Sequence, residues 1–566
     1  MLGEMPTGKR SPRRAGFLGR IVGSIIAAVF AFALLCRCGS PFSAATSSSA
    51  LDAAVNDGTV VNIASPYTDG PGGSDDAGDG GAQSDAGNTV GPADSGNGSC
   101  NPAKDPKDAP CLVDGVFGVF VSGTTGHDSA IGSKADPLKT IGEGIAKAAQ
   151  VGKSRVYVCN GTYAEQVSLD VQHDGIGLYG GFDCASGWAW NGDAGQAQVV
   201  GPAALYALRV NATTKAIAIE DMTFTVPDAT GYDSTGAGNS SIAAFLSNEP
   251  AGVNFQRVTL RAGAGVAGSD GGAPATNWFS PNVAALQGNG ADGGAGGAAR
   301  DCRCKTVGDT SGGAGGAQGD PAGDGGTGTA SPLPLLQPPR NGAGGAGYVD
   351  MTGVCMPGRA GADGTSQGDA GVGAAVGTLS ASGWEPGSAT SGLFAYPGQG
   401  GGGGGGGQTA GGAGGGCGGC GGAGGTAGHG GGASVALLLY NAVVALGDSR
   451  LITSAGGAGG SGGAGENGAG GGAGGYVGAC GGGAGGSGAG GQGGGGGAGG
   501  ASIGILSNAV SHAAFDGQTT FMLGTPGTGG PPGSGGAGGS VATDHAPSGP
   551  PGTKGADGVA QQTLSR

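Results

Sequence analysis

The chain has 566 residues, of which 143 are glycine and only 5% are aromatic. Glycine costs the most backbone entropy to order and brings no side chain to bury, so much of this chain cannot build an ordinary apolar core. The formal charge of −15 repels phosphate backbones, which argues against nucleic acid as a partner and for a solvated acidic surface.

The N-terminus carries an export pattern. Lys9 to Arg20 is basic, Ile21 to Leu35 is an apolar run, and small and polar residues follow. That is the order of a secretory signal. The run is short for a membrane span of about 20 residues, and a retained anchor is the alternative. Residues 1–45 are thus a signal peptide or N-terminal anchor, and membrane contact is expected through them alone. Ala33-Leu34-Leu35-Cys36 is similar to a lipobox and makes Cys36 a lipidation candidate, although Leu35 stands where that motif wants a small residue. Ser43-Ala44-Ala45 offers a conventional cleavage site instead. Removing this segment would take the charge from −15 to near −20. Residues 46–99 are rich in Gly, Ser and Asp and cannot offset the entropy of ordering, so they are expected to be a disordered acidic linker.

The composition changes at Cys100. Val116 to Val121 reads as a buried strand. In the segment Asp136 to Gly152, Asp136 can cap a helix and Pro137 fits its first position. Leu138, Ile141, Ile145 and Ala148 fall on one face, and Gly152 can end the helix. Arg155 to Cys159, Gln166 to Leu169 and Ile176 to Tyr179 read as further strands.

The residue order VFVS, DPLKTI, VYVCNGTYAEQVSL and GLYGGFDC resembles the N-terminal part of pectin-lyase-like proteins, in particular exported proteins of the DUF1565-like group. The resemblance covers residues 115–262. It implies an all-β fold, a right-handed parallel β-helix (solenoid) with an N-terminal capping helix. That fold hosts enzymes, adhesins and passive scaffolds alike, so it does not fix a function.

Internal repeats extend the pattern. Ser240 to Leu246 leads on to Val258-Thr259-Leu260; Ala433 to Leu439 leads on to Leu451-Ile452-Thr453; Ala501 to Leu506 leads on to Thr520 to Leu523. Each has the size of one solenoid coil, which buries its apolar side only by stacking on its neighbours. The expected organisation is N-terminal coils with the capping helix at 100–262, a glycine-rich insert at 263–432 and a coil at 433–454. A second insert at 455–500, a coil at 501–523 and a glycine/proline-rich tail at 524–566 follow. The inserts are similar to the glycine-rich repeats of mycobacterial PGRS proteins. Two states suit them: flexible coil, or extended polyglycine helices with three residues per turn. Much of the first insert reads as coil, and the other two are open between the states.

Ten cysteines beyond Cys38 suit disulfides in an oxidising compartment. Cys100 and Cys111 are a natural local pair, and Cys159 and Cys184 flank a strand-turn-strand stretch. Cys302, Cys304, Cys355, Cys417, Cys420 and Cys480 allow many connectivities and receive none. Cys302-Arg303-Cys304 with Cys417-Gly418-Gly419-Cys420 also has the short spacing of a zinc site, but stapling is the expected role.

No catalytic motif is found. A polysaccharide-cleaving solenoid would need carboxylates and a base on one face. The residues available near strands are Glu165, Asp170, Asp183, Glu220 and Asp221, with Arg209, Arg257 and Arg261 as basic partners. Trp188 and Trp190 would stack on sugars if exposed and pack a loop if buried. Asp270, Asp292, Asp309, Asp320 and Asp324 are spaced too irregularly for a calcium β-roll, so weak Ca²⁺ binding is the most they suggest, and no cofactor is expected. The function expected is a non-catalytic exported structural or interaction protein. It would display its glycine segments at the cell surface or outside the cell, to polysaccharide or to other envelope or matrix proteins. A polysaccharide lyase or hydrolase is the alternative.

Overall fold

The computed structural model describes residues 100–566 except 204–205, 278–282, 333–341, 349–353 and 542–543. The signal or anchor at 1–45, with Cys36, and the linker at 46–99 lie outside the described residues.

Strands dominate. One sheet has twelve strands and another six, and every pairing in the six-stranded sheet is parallel. The segment Gly118–Val121 pairs with Arg155–Cys159, which pairs with Gly177–Asp183. Both faces of these strands are buried, so they read as continuous apolar runs rather than as alternations. Val119, Val121, Val156, Val158 and Leu178 join the main core. The alternate residues Phe120, Tyr157, Tyr179 and Phe182 form a second, aromatic cluster with Trp188 on the other face.

The helix is shorter than its sequence suggests. It runs Ile141–Gln150, and its N-cap is Thr140, whose side chain accepts from the Glu143 amide. This Thr-x-x-Glu arrangement displaces Asp136 as the cap. Leu138 is drawn into an extended bridge with Val121, which keeps the residues before Thr140 out of the helix. The buried residues Ile141, Ile145 and Ala148 match the predicted face, and Gly144 completes it. A Cβ on Gly144 would come within 2.4 Å of Val121.

The three internal repeats lie in register on one another. Ile242 pairs with Val435, which pairs with Ile503; Leu260 pairs with Leu451, which pairs with Phe521. Asn248 and Asn441 occupy one corner with φ of 57° and 52°. Their side chains and that of Asn508 bond in a row, Asn441 Nδ2 to Asn248 Oδ1 at 3.2 Å and Asn508 Nδ2 to Asn441 Oδ1 at 2.7 Å.

The described residues of the glycine inserts hydrogen-bond to one another, which favours the extended-helix state over the coil reading of much of 263–432. Their backbone hydrogen bonds recur every third residue, the repeat of an extended helix with three residues per turn. Gly457, Gly460 and Gly463 donate to Gly432, His429 and Thr426, and Gly494, Gly497 and Gly500 donate back to Gly463, Gly460 and Gly457. The run Gly400 to Gly407 is enclosed by such neighbours. Its amides donate to tracts 323–329, 410–416 and 356–359, and its carbonyls accept from 313–319, 345–348 and 483. The cause is the missing side chain. A Cβ on Gly400, Gly401 or Gly402 would stand 1.9, 2.1 or 2.0 Å from the carbonyl oxygens of Ser311, Gly483 and Ala343, three different neighbours. Glycine at all three positions of the turn lets chains approach from every side. No residue from 400 to 432 has a positive φ, the sense of the left-handed extended helix that the interspersed alanines also accept.

The predicted tail at 524–566 is likewise part of this packing. Gly527, Gly530, Gly533 and Gly536 donate to Gly500, Gly497, Gly494 and Gly491. The chain then ends in a strand, Ala560–Ser565, paired in parallel with Ser502–Ser507. Polar Gln561, Gln562 and Thr563 hid that strand from a hydrophobic pattern.

Candidate functional site

Three of the carboxylates and bases singled out in the sequence converge. Glu220 ends the strand Ile217–Glu220, which pairs with the stretch of Ser241–Gln256 that precedes Arg257. The corner residues Asp221 and Arg257 therefore stack. Arg257 Nε lies 2.8 Å from Asp221 Oδ1, and its Nη2 lies 3.2 Å from Glu220 Oε2. Asp105, which the sequence did not single out, joins at 3.9 Å from Arg257. It arrives on the loop closed by the Cys100–Cys111 disulfide, and no local spacing links it to Glu220. Trp190 donates its indole N–H to Asp221 Oδ2 at 3.1 Å, with Lys107 over its ring.

Glu220 and Asp221 are buried. Burial is the main force pushing the Glu220 carboxyl up to about 8, and the Asp105 charge and hydrogen bond add to it, against the pull of Arg257. Glu220 thus favours its protonated form at neutral pH. Such a proton would suit a general acid. However, each group here is already engaged with the others or with Trp190. The arrangement works as a latch that holds the N-terminal disulfide loop to the sheet. Tyr157, which donates to the Leu112 carbonyl, and Arg155, whose Nη2 donates to the Pro102 carbonyl, hold the same loop.

The remaining candidates stand apart. Glu165 accepts from the amides of Ile141 and Gly142 at 2.9 and 3.0 Å and so caps the helix from a distant turn. Asp170 accepts from the Gln172 amide, and Asp183 from Ala185 and Ser186. Arg209 and Arg261 are exposed on separate strands. Trp188 is buried edge-on against Phe120, whereas Trp190 is about a third exposed. Asp270 and Asp324 bind amides of adjacent glycine tracts, from Ser461 and Gly347.

The cysteines form five disulfides: Cys100–Cys111, Cys159–Cys184, Cys302–Cys417, Cys304–Cys420 and Cys355–Cys480. The two short-spaced pairs considered for zinc do come together, but as two parallel disulfides. Three bridges fall in the glycine array, and the physical need is clear. A backbone hydrogen bond contributes a net of about 1 kcal/mol, and ordering a residue costs about 1–2 kcal/mol. Glycine chains without side chains to bury therefore need an outside constraint. Multiple disulfides point to an oxidising, non-cytoplasmic compartment. Among the described residues, no helix is long and apolar enough to cross a membrane.

Comparison of the chain with family models, curated proteins and solved structures returns no match.

Proposed function

We propose that this chain is an exported, non-catalytic structural or interaction protein. In this reading a right-handed parallel β-helix, of the pectin-lyase-like type, presents its glycine-rich inserts as a rigid polyglycine-like bundle at the cell surface or outside it. Polysaccharide and other envelope or matrix proteins are the partners. The observation that carries the reading is the glycine array itself. A large part of the chain is committed to a backbone-bonded, disulfide-stapled lattice, and the acidic residues near strands are committed to caps and a latch.

The test is to incubate the purified chain with insoluble plant, bacterial and matrix polysaccharides and measure both retention and newly formed chain ends. Retention without new ends is expected. Sustained release of ends, abolished by Glu220→Gln, would replace this reading with a polysaccharide-cleaving enzyme.

A further inference from the structure

One cavity of about 320 Å³ lies where the first insert meets the sheet, and it is unrelated to the carboxylate latch. This is at the small end of the range for small-molecule sites. The hairpin formed by Thr378–Ser380 and Gly383–Glu385 brings Trp384 to it, and the sheet side brings Tyr206, Asp233 and Asn239. Both rings pack on the same apolar cluster, and Tyr206 lies 5.1 Å from Phe245. A Cβ on Gly383 would stand 2.7 Å from the Tyr206 hydroxyl, so the bare glycine lets hairpin and phenol meet.

The polar groups are set for a ligand rich in hydroxyls. Asp233 Oδ1 accepts from Thr235 N, Thr235 Oγ1 and Ala237 N at 2.8, 2.7 and 3.0 Å. Burial works against the charge of Asp233, but those bonds outweigh it and hold the carboxyl below its ordinary range. The carboxylate is thus fixed and ionised. Asn239 is held through its amide to the Thr230 carbonyl at 2.8 Å. Trp384 Nε1 is buried with no acceptor among the described residues. Glu385 is exposed at the rim, and no Lys or Arg lines the cavity.

We propose that this cavity binds a pyranose unit of a polysaccharide that carries no acidic group. Trp384 and Tyr206 supply the apolar platform for the sugar face. Asp233 and Glu385 accept from sugar hydroxyls. Two carboxylates line the cavity, and Arg209, whose charge reaches Tyr206, is not among its lining residues; neutral hexoses and hexosamines therefore fit better than uronic acids. The proposal rests on the polysaccharide contact proposed above and names its site.

The experiment titrates the full chain with oligosaccharides of equal length built from neutral hexoses, from hexosamines or from galacturonic acid, read by calorimetry and tryptophan fluorescence. Binding of a neutral or hexosamine oligomer at least tenfold tighter than the uronate is expected; tighter hexosamine binding would mark charge pairing with the carboxylates. Trp384→Ala and Asp233→Asn should each weaken binding tenfold or more. Glu385→Gln, at an exposed position on the rim, should weaken hexosamine binding. Uronate binding as tight as the others, or unchanged affinity in the Trp384 and Asp233 variants, overturns the assignment. If the chain is retained on insoluble polysaccharide and these variants are retained equally, the site is wrong but the contact stands. If the chain is retained on none and binds no oligomer, both fall.

Discussion

Arg257 sits directly on Asp221 at one corner of successive repeats, Nε to Oδ1 at 2.8 Å, and both residues adopt a positive φ, 54° and 53°. Two non-glycine residues thus accept a sparsely populated conformation and form a buried ion pair there. The next repeat places Asp448 at the same corner, with φ of 45°. Removing Arg257 would leave the buried Asp221 carboxylate without its cation. Arg257→Met is therefore expected to cost about 3–5 kcal/mol of unfolding free energy in a denaturant titration. Combining it with Glu220→Gln and Asp221→Asn should recover part of that loss.

The raised Glu220 carboxyl gives stability a pH dependence of known sign. Its folded value is about 8 against an ordinary 4.5, so between these the folded chain holds a proton that the unfolded chain has lost. The stabilisation is complete below pH 4.5 and is lost as pH rises through 8, with a slope of up to about 1.4 kcal/mol per pH unit. Thermal unfolding at pH 5, 6.5 and 8 should show a falling melting temperature. Glu220→Gln should flatten that slope and exceed the parent chain at pH 8.

The twin bridges Cys302–Cys417 and Cys304–Cys420 close loops of 115 and 116 residues, which are nearly the same loop. In the chain-entropy account either one supplies most of the constraint, roughly 4–5 kcal/mol, and the second adds only the closure of a few residues. Replacing Cys304 and Cys420 by serine should therefore shift unfolding little. Replacing all four should cost several times more than either pair alone, seen as early loss of amide protection across the glycine array.

Gly403→Ala and Gly517→Ala make a matched pair. A Cβ at Gly403 would stand 1.8 Å from the Ala314 carbonyl oxygen, whereas at Gly517 nothing lies within 4 Å. The first substitution should destabilise by about 3 kcal/mol or more and expose neighbouring amides to exchange. The second should change stability by less than about 1 kcal/mol in either direction.

Asn441 combines a positive φ of 52° with side-chain bonds to Asn248 and Asn508. Asn441→Ala loses both and is expected to cost about 1–3 kcal/mol by equilibrium unfolding. Asn441→Gly keeps the conformation and should cost less.

The strands were legible wherever apolar residues were dense. Arg155 to Cys159 and the three repeats that stack through Ile242, Val435 and Ile503 declared themselves by composition alone. The helix start was misplaced because Asp136-Pro137 satisfies the local rules for a cap and only the distant partner Val121 holds Leu138 extended. The order of the glycine tracts was hidden for a deeper reason. Their partners are other glycines far along the chain, so a sequence of G and A carries no register. The Glu220, Asp221 and Arg257 cluster was half visible, since those residues flank strands. Asp105 was not, because only the folded disulfide loop brings it there. The Tyr206 and Trp384 cavity joins the sheet to a hairpin inside the long insert and left no local signal.

The enclosure of Gly400 to Gly407 on all sides has a mechanical consequence. A β-sheet is bonded along one lateral direction and yields readily to bending out of its plane. A chain bonded outward to tracts all around it has no such soft direction. The glycine array should therefore behave as a strut, passing load along its length and resisting sideways deflection almost equally from any quarter.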